Sequence, residues 1–311
     1  MRILDAARTE AALPFERLIP ALRDAFVAGA EVPLRHRHDI AQPDGTTAAL
    51  LLMPAWRAGG FLGVKLVSVF PGNGARGLPS VAASYLLCDG ATGRHLALID
   101  GSEITRRRTA AASALAASYL ARADARTLLI VGSGHVAGLL PAAYRVVRGI
   151  ERVLVWNIRP EGAKRLAARL GAEAATDLEA AARDADIVSC ATLSRVPLVR
   201  GEWLRPGTHL DLIGGFTPAM READDAAVQR SRVFIDTDAA LAEAGDLIDP
   251  IAHGVLQRGD IAGSLFTLCR GETPGRRDVQ EITLFKSVGS AIEDLAAAAL
   301  AFGKEDADGQ A

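Results

Sequence analysis

Lys65 stands in the run Gly63-Val-Lys65-Leu-Val67, with apolar residues on both sides. A lysine inside such a segment either carries its head out to water or meets an anion. Arg35 lies upstream, and Arg106-Arg-Arg108 follow together downstream. Consecutive residues of a helix face different directions, so at most one or two of those three arginines can enter one pocket. Lys65 and the arginines are therefore candidates for an anion site. Thr109, at the same helix start, could donate to a phosphate.

A second chemical signal is Thr127-Leu-Leu-Ile-Val131 followed by Gly132-Ser133-Gly134-His135-Val136-Ala137. A buried strand, a turn at two glycines and a helix resuming at Val136 form the context in which a G-x-G-x-x-G/A match carries weight. Gly132 permits the turn, Gly134 lets backbone approach a pyrophosphate, and Ala137 is small enough for close helix–strand packing. The phosphates would sit on free amides at the helix start. The next strand ends Val155-Trp-Asn157-Ile-Arg159, where an acid is expected if the ribose 2′-OH is free. A neutral Asn157 removes repulsion against a 2′-phosphate and Arg159 offers its planar fork, which points to NADPH, with NADH a weaker possibility.

The elements that must position these residues fall into two textures. A helix over Leu13–Gly29 precedes strand-like segments at Val32–Asp39, Thr47–Trp56, Phe61–Phe70, Val81–Cys88 and His95–Ile99, split by turn residues. This predicts a meandering, mostly antiparallel sheet. A long alanine-rich helix over Ile104–Ala121 follows, with Ser102-Glu-Ile-Thr105 as its N-cap region. From Thr127 strands and helices alternate, at Arg152–Trp156, Pro160–Leu170, Ala174–Thr176, Leu178–Ala182, Ile187–Ala191, His209–Ile213, Arg232–Asp236 and Ile282–Lys286. That rhythm implies a Rossmann-type doubly wound parallel sheet. The last helix, Ala291–Phe302, resembles Ile104–Ala121 in composition, and the two are expected to pack together. The fold class is α/β, with residues 121–280 as one domain and 1–120 with 281–311 as a discontinuous α+β domain. The polar tail Gly303–Ala311 is expected to fray.

Composition narrows the function classes. Half of the 311 residues are hydrophobic, and a net charge of −2 leaves no footprint for nucleic acid or anionic lipid. No membrane span is expected, and Met1-Arg-Ile-Leu-Asp lacks the pattern of a signal peptide. Cys88, Cys190 and Cys269 are odd in number and far apart, which reads as reduced cysteines of a cytoplasmic protein. Metal binding is not expected, since His36 and His38 form an isolated pair.

Several segments occur together in a recognisable order: Val32-Pro-Leu-Arg35, Gly63-Val-Lys65 through Pro71-Gly-Asn73, Gly77-Leu-Pro-Ser80 and Leu87-Cys-Asp-Gly-Ala-Thr-Gly93. With Arg108-Thr109-Ala-Ala, Val131-Gly-Ser-Gly134 and Phe285-Lys-Ser-Val-Gly289, the chain resembles the ornithine cyclodeaminase/μ-crystallin family over nearly its whole length. The resemblance implies a homodimer whose terminal segments form a substrate and dimerisation domain around a Rossmann-type domain. It implies that Arg35, Lys65 and Arg108 contact a substrate carboxylate and that Ser80 lines the pocket. It further implies cofactor contacts at Thr109, Gly132–Ala137, Ala191-Thr192 and Ser287-Val288-Gly289.

One departure is informative. Cyclodeaminases and archaeal alanine dehydrogenases of this family carry an Asp after the strand-ending I-G-G or I-G-A, whereas this chain reads Ile213-Gly-Gly215-Phe216. A phenyl ring cannot accept a proton or orient a hydrolytic water. Members without the Asp include reductases of cyclic ketimines, so the leading expectation is NADPH-dependent reduction of 1-pyrroline-2-carboxylate or 1-piperideine-2-carboxylate. Lys65 and Arg108 would be the catalytic pair, and the rings would stack near Ile213 and Phe216. Two alternatives stand beside it: a cyclodeaminase with bound NAD, with Glu222 or Asp211 replacing the missing Asp, and a non-enzymatic NADPH or small-ligand binding protein.

Overall fold

The computed structural model describes residues 1–308. In chain order its strands and α-helices are β1 (Arg2–Leu4), α1 (Ala6–Ala12), α2 (Phe15–Ala28), β2 (His36–Ala41), β3 (Thr47–Trp56), β4 (Phe61–Val69), β5 (Val81–Asp89), β6 (His95–Asp100) and α3 (Gly101–Leu120). They continue with β7 (Thr127–Val131), α4 (Leu140–Val147), β8 (Arg152–Trp156), α5 (Pro160–Leu170), β9 (Glu173–Ala174), α6 (Leu178–Asp184), β10 (Ile187–Cys190) and β11 (His209–Leu212). The last are α7 (Asp225–Gln229), β12 (Arg232–Ile235), α8 (Ala240–Glu243), α9 (Gly245–Ala252), β13 (Gly263–Ser264), α10 (Leu265–Cys269), β14 (Thr283–Lys286) and α11 (Ala291–Asp308).

The chain divides into two compact units, Met1–Arg108 with Ser290–Ala311, and Thr109–Gly289. The first dividing point falls inside α3 and the second just past β14, against the expected 120/121 and 280/281. A helix that runs on without interruption gives the sequence no punctuation to mark such a point.

In the first unit the strand order is β1-β6-β5-β4-β3-β2, antiparallel except for the parallel pair β1–β6. Alternation sends Met53 and Ala55, Lys65 and Val67, and Tyr85 and Leu87 to one face, where all are buried. Helices α2 and α11 pack together, and α11 also lies against β3, β4 and β5. The opposite face presents Ile3, Leu98, Leu86, Val64, Leu66 and Leu52, exposed or half-buried. Helix α2 buries Leu18, Ile19, Leu22 and Phe26 at helical spacing.

Several expectations are corrected here. Helix α11 packs on α2 and on β3, β4 and β5, and it meets α3 through the bonds of Arg108 to Glu293 and Asp294. It also runs past Phe302 to Asp308, so the tail is helical as far as it is described; residues 309–311 lie outside the described residues. Helix α3 starts at Gly101, with Asp100 Oδ1 accepting from Glu103 N at 2.7 Å, so Asp100 and not Ser102 serves its start. Residues 32–35 precede β2 instead of forming it, and Pro33 among them has no N–H to give to a ladder.

The second unit holds an eight-stranded, wholly parallel sheet in the order β13-β12-β14-β11-β10-β7-β8-β9. Strands β10, β11 and β14 are buried throughout, as parallel strands covered on both faces should be. The chain moves outward from β7 through β8 to β9, then returns to β10 on the other side of β7. The carboxyl ends of β7 and β10 therefore flank a topological switch point, the usual place for a ligand crevice in such sheets. Cys88 and Cys190 are buried and Cys269 half-buried, and none forms a disulfide among the described residues. No helix among the described residues is long and apolar enough to cross a membrane.

Candidate active site

Lys65 owes its position to the period of β4, which turns it onto the covered face of the first unit's sheet. Its direct partner on β5 is Tyr85, whose ring lies across Gly63; a Cβ there would fall 2.2 Å from the Tyr85 hydroxyl. Only glycine leaves that space. The Lys65 Nζ pairs with Asp294 Oδ2 at 2.7 Å and donates to Thr105 Oγ1 at 3.2 Å. Arg108, one turn further along α3, donates from Nε to Asp294 Oδ1 at 3.0 Å and from Nη1 to Glu293 Oε2 at 2.8 Å. Both acids sit in the first turn of α11 and are fully buried. One carboxylate, that of Asp294, thus bridges the two cations.

Four charges removed from water are tolerated only because they are paired and hydrogen-bonded. Burial drives the Lys65 ammonium down from 10.5 to about 8, with Asp294 opposing and Arg108 and Arg35 adding to the fall. Burial alone would raise Asp294, but Lys65 and Arg108 together hold its carboxyl below the usual range. Among the described residues Lys65 uses two of its three donors and Arg108 leaves Nη2 unengaged. The pair retains donors for one more acceptor.

The other cations behave differently. Arg107 is buried but binds Glu103 Oε1 at 2.9 Å and the Leu13 carbonyl at 3.1 Å, tying α3 to the N-terminal helices. Arg106 faces outward beside Glu103. Of the three consecutive arginines only Arg108 joins Lys65, within the one or two that helical geometry permits. Arg35 is half-buried and close enough to Lys65 to lower its pKa. Ser80 is exposed; its carbonyl accepts from Phe70 N at 2.8 Å and its hydroxyl has no partner among the described residues.

In the second unit, Gly132 leaves β7 with φ +119°, and a Cβ on it would lie 2.6 Å from Ala191 O and 3.3 Å from Thr192 Cγ2. The turn after β7 and the loop after β10 therefore touch, backbone to backbone, at the switch point. Gly134 has open space where its Cβ would be, and Ala137 is fully buried. Residues 134–139 form turns, and the regular helix α4 begins only at Leu140, not at Val136. Pro141 in the first turn of α4 fits this late start, since its fixed φ and missing N–H are well tolerated there. Ser133, Gly134, His135 and Val136 remain half-buried or exposed beside the crevice. Asn157 Nδ2 donates to Arg159 O at 3.0 Å, and both Asn157 and Ser133 lie over Gly162, where a Cβ would be 2.7 Å from either side chain. Arg159 is exposed at the N-cap of α5. Thr109 is half-buried.

Three loops at the carboxyl ends of β10, β11 and β14 are fixed by buried carboxylates, of which the sequence marks only Glu222, and for another role. Glu222 accepts from Thr192 N at 2.7 Å, Thr192 Oγ1 at 2.9 Å, Gly214 N at 2.8 Å and Gly215 N at 3.2 Å. Asp236 Oδ2 accepts from Ser287 Oγ at 2.9 Å, Val288 N at 2.8 Å and Gly289 N at 2.7 Å. Asp246 joins them, accepting from Glu222 N at 2.7 Å and from Lys286 Nζ at 2.9 Å. Burial pushes Glu222 up to about 7 against the pull of Lys286. Asp211 lies elsewhere, on β11, accepting from Ser189 Oγ at 2.5 Å, Tyr144 Oη at 2.8 Å and Ser113 Oγ at 3.3 Å, and burial raises it to about 6. Ile213 is buried, while Phe216 is 45% exposed in the loop that Glu222 anchors.

A sequence profile of the ornithine cyclodeaminase/mu-crystallin family matches residues 2–308. Among curated relatives, the Delta(1)-pyrroline-2-carboxylate reductase of Paracoccus denitrificans is 45% identical over 285 residues, 88% of this chain and 89% of its own. Among solved structures, the Thermococcus litoralis Delta(1)-pyrroline-2-carboxylate reductase in complex with NADH and L-proline superposes with a TM-score of 0.90 at 38% identity, covering 99% of this chain and 98% of that one. An archaeal alanine dehydrogenase dimer with bound NAD reaches the same TM-score at 29% identity, covering 99% and 97%.

Proposed function

The chain belongs to the ornithine cyclodeaminase/mu-crystallin family and is an NAD(P)H-dependent oxidoreductase; from that premise we propose that it reduces a small cyclic imino acid, 1-pyrroline-2-carboxylate or 1-piperideine-2-carboxylate, to L-proline or L-pipecolate. The single observation that carries this reading is the meeting of Lys65 and Arg108 on one carboxylate, with donors left for another. In the reading, the first unit is the substrate domain and the second holds the nicotinamide dinucleotide.

The second unit's residues fit such a cofactor. Gly134 leaves its backbone open to a pyrophosphate, Gly132 brings Ala191 and Thr192 to the switch point, and Asn157 with Arg159 suits a 2′-phosphate, which favours NADPH over NADH. Bound there, the dinucleotide supplies a hydride to C2 of the imine, and one proton is taken up at the ring nitrogen. Lys65 and Arg108 hold the substrate carboxylate and so fix C2, a positioning effect that can contribute several kcal/mol. Arg35 and Ser80 would complete the binding set. Phe216 offers no base, and Glu222 and Asp211 are each saturated by donors from the protein itself. This favours reduction over cyclodeamination.

The open apolar face of the first unit's sheet supports a homodimer, since monomers rarely expose a contiguous patch of that kind. The deciding experiment measures NADPH oxidation with 1-pyrroline-2-carboxylate and 1-piperideine-2-carboxylate, and ammonia release from L-ornithine with NAD. Steady NADPH consumption with either imine is expected. Ammonia and proline from L-ornithine would overturn the reading, and no turnover of either kind would favour a binding protein.

A further inference from the structure

In the reductase reading Lys65 and Arg108 meet the substrate, and neither of them fixes its own position. On the basis of that reading, and from the way one buried carboxylate engages both cations, we propose that Asp294 is the positioning residue of the carboxylate site, setting both the separation of Lys65 and Arg108 and the charge of Lys65.

The geometry is specific. Asp294 Oδ2 takes the Lys65 ammonium at 2.7 Å and Oδ1 takes the Arg108 guanidinium at 3.0 Å, so the two cations are held one carboxylate apart. That spacing is what a second carboxylate would need to engage the donors left over. Asp294 cannot drift, because α11 packs on α2 and on β3, β4 and β5, and its neighbour Glu293 grips Arg108 Nη1 at 2.8 Å. Charge makes the same point. Two cations side by side in a buried place repel, and the lysine can relieve the repulsion by losing its proton. Asp294 is the nearest counter-charge opposing that loss, and even with it Lys65 titrates near 8. An ammonium that had become an amine would still pack but would no longer attract a carboxylate.

The test uses the whole enzyme with Asp294→Asn, which keeps the shape and removes the charge, and Asp294→Glu, which keeps the charge and displaces it by one methylene. For the Asn variant the KM for 1-pyrroline-2-carboxylate should rise by about tenfold or more, with the NADPH Kd within about twofold of the parent. The alkaline limb of kcat/KM, expected near pH 8 in the parent, should move down by about one unit or more. The Glu variant should keep the limb near pH 8 while its KM rises about threefold or more. A parent-like KM in both variants overturns the proposal. So does a KM that rises together with the NADPH Kd while the limb stays in place, because that is general damage to the fold. Should the Asn variant fail to fold, the Glu variant decides alone, and a KM within about twofold of the parent overturns it. If the unaltered enzyme turns over no imine, the reductase reading fails. The charge role is then read from the titration of 13C-labelled Lys65 by NMR in the parent and the Asn variant, or in the parent and Asp294→Leu where the Asn variant does not fold. A downward move on removal of the carboxylate supports the role, and no move overturns it.

Discussion

Raising the pH past 8 should disarm the carboxylate site of the proposed reading. Lys65 titrates at about 8 in the folded protein instead of 10.5, burial being the main cause. Each unit above that value removes about nine-tenths of the remaining ammonium, so at pH 9.5 the charged fraction is lower by about thirtyfold, or about 2 kcal/mol. L-proline keeps its carboxylate charged and its ring nitrogen protonated over this range, so its binding reports Lys65 without interference from the ligand. Calorimetric titration of L-proline into the enzyme loaded with oxidised cofactor, between pH 7 and 9.5, should show the Kd flat at first and then rising. Lys65→Arg should remove the rise, because a guanidinium stays charged, at the expense of a weaker Kd throughout. Stability should respond with the opposite sense. Between pH 8 and 10.5 the unfolded chain binds a proton at Lys65 that the folded one has lost, so folding stability contributed by this group rises with pH across that window, by up to about 3 kcal/mol. A Kd constant from pH 7 to 9.5, or an equal rise in Lys65→Arg, would refute the reasoning.

Three further outcomes are expected. The unaltered protein should prefer NADPH to NADH by about tenfold or more in kcat/KM, about 1.4 kcal/mol, and Asn157→Asp with Arg159→Ala should erase or reverse this; equal use of both cofactors by the parent would refute it. Asp211, raised by burial to about 6, is more readily ionised when unfolded, so its contribution to stability falls as pH rises, by about 1.4 kcal/mol between pH 5 and 7.5. Asp211→Asn should flatten that part of the urea-denaturation profile. Phe216→Asp should weaken imine reduction without releasing ammonia from L-ornithine, as coupled ammonia assays would show.

The sequence displays local order well and long-range pairing poorly. Strands β3, β7 and β8 and helix α5 end where hydrophobic runs and turn residues place them. Lys65 is visible because a charge inside an apolar strand needs a partner, whereas Arg108 is only one of three consecutive arginines until the family resemblance singles it out. Their shared partner is invisible, since Asp294 lies 186 residues from Arg108 and looks like an ordinary acid in a helix's first turn. A usable signal exists even so: in the apolar stretch Ala291–Phe302, Glu293 and Asp294 are the only charges, the same anomaly that marks Lys65. The region of α7 to α10 is illegible for a different reason. Its helices have four to eight residues, too few for a 3.6-residue period to declare itself, and β13 has only two.

Buried charge in this protein is concentrated, and its distribution bears on the reaction. Ion pairs removed from water add little stability that apolar residues of the same volume would not add, so their placement reports a use. In the first unit, the acids on α11 serve the cations: Asp294 and Glu293 neutralise Lys65 and Arg108 yet leave each with a donor. In the second unit the acids serve backbone and hydroxyl groups. Glu222 is filled by four donors from the loops after β10 and β11, and Asp236 by the turn at Ser287–Gly289. A carboxylate so occupied holds loops in place; it has no lone pair directed at a substrate amine. Cyclodeamination needs an acidic group to manage an ammonium and its proton transfers, and at the position where relatives keep one this chain has Phe216. Reduction of a cyclic imine needs a fixed carboxylate, a hydride and a proton for a nitrogen that takes one readily. In the proposed reading Lys65 and Arg108 supply the first of these, and the other two call for no acid at the position of Phe216.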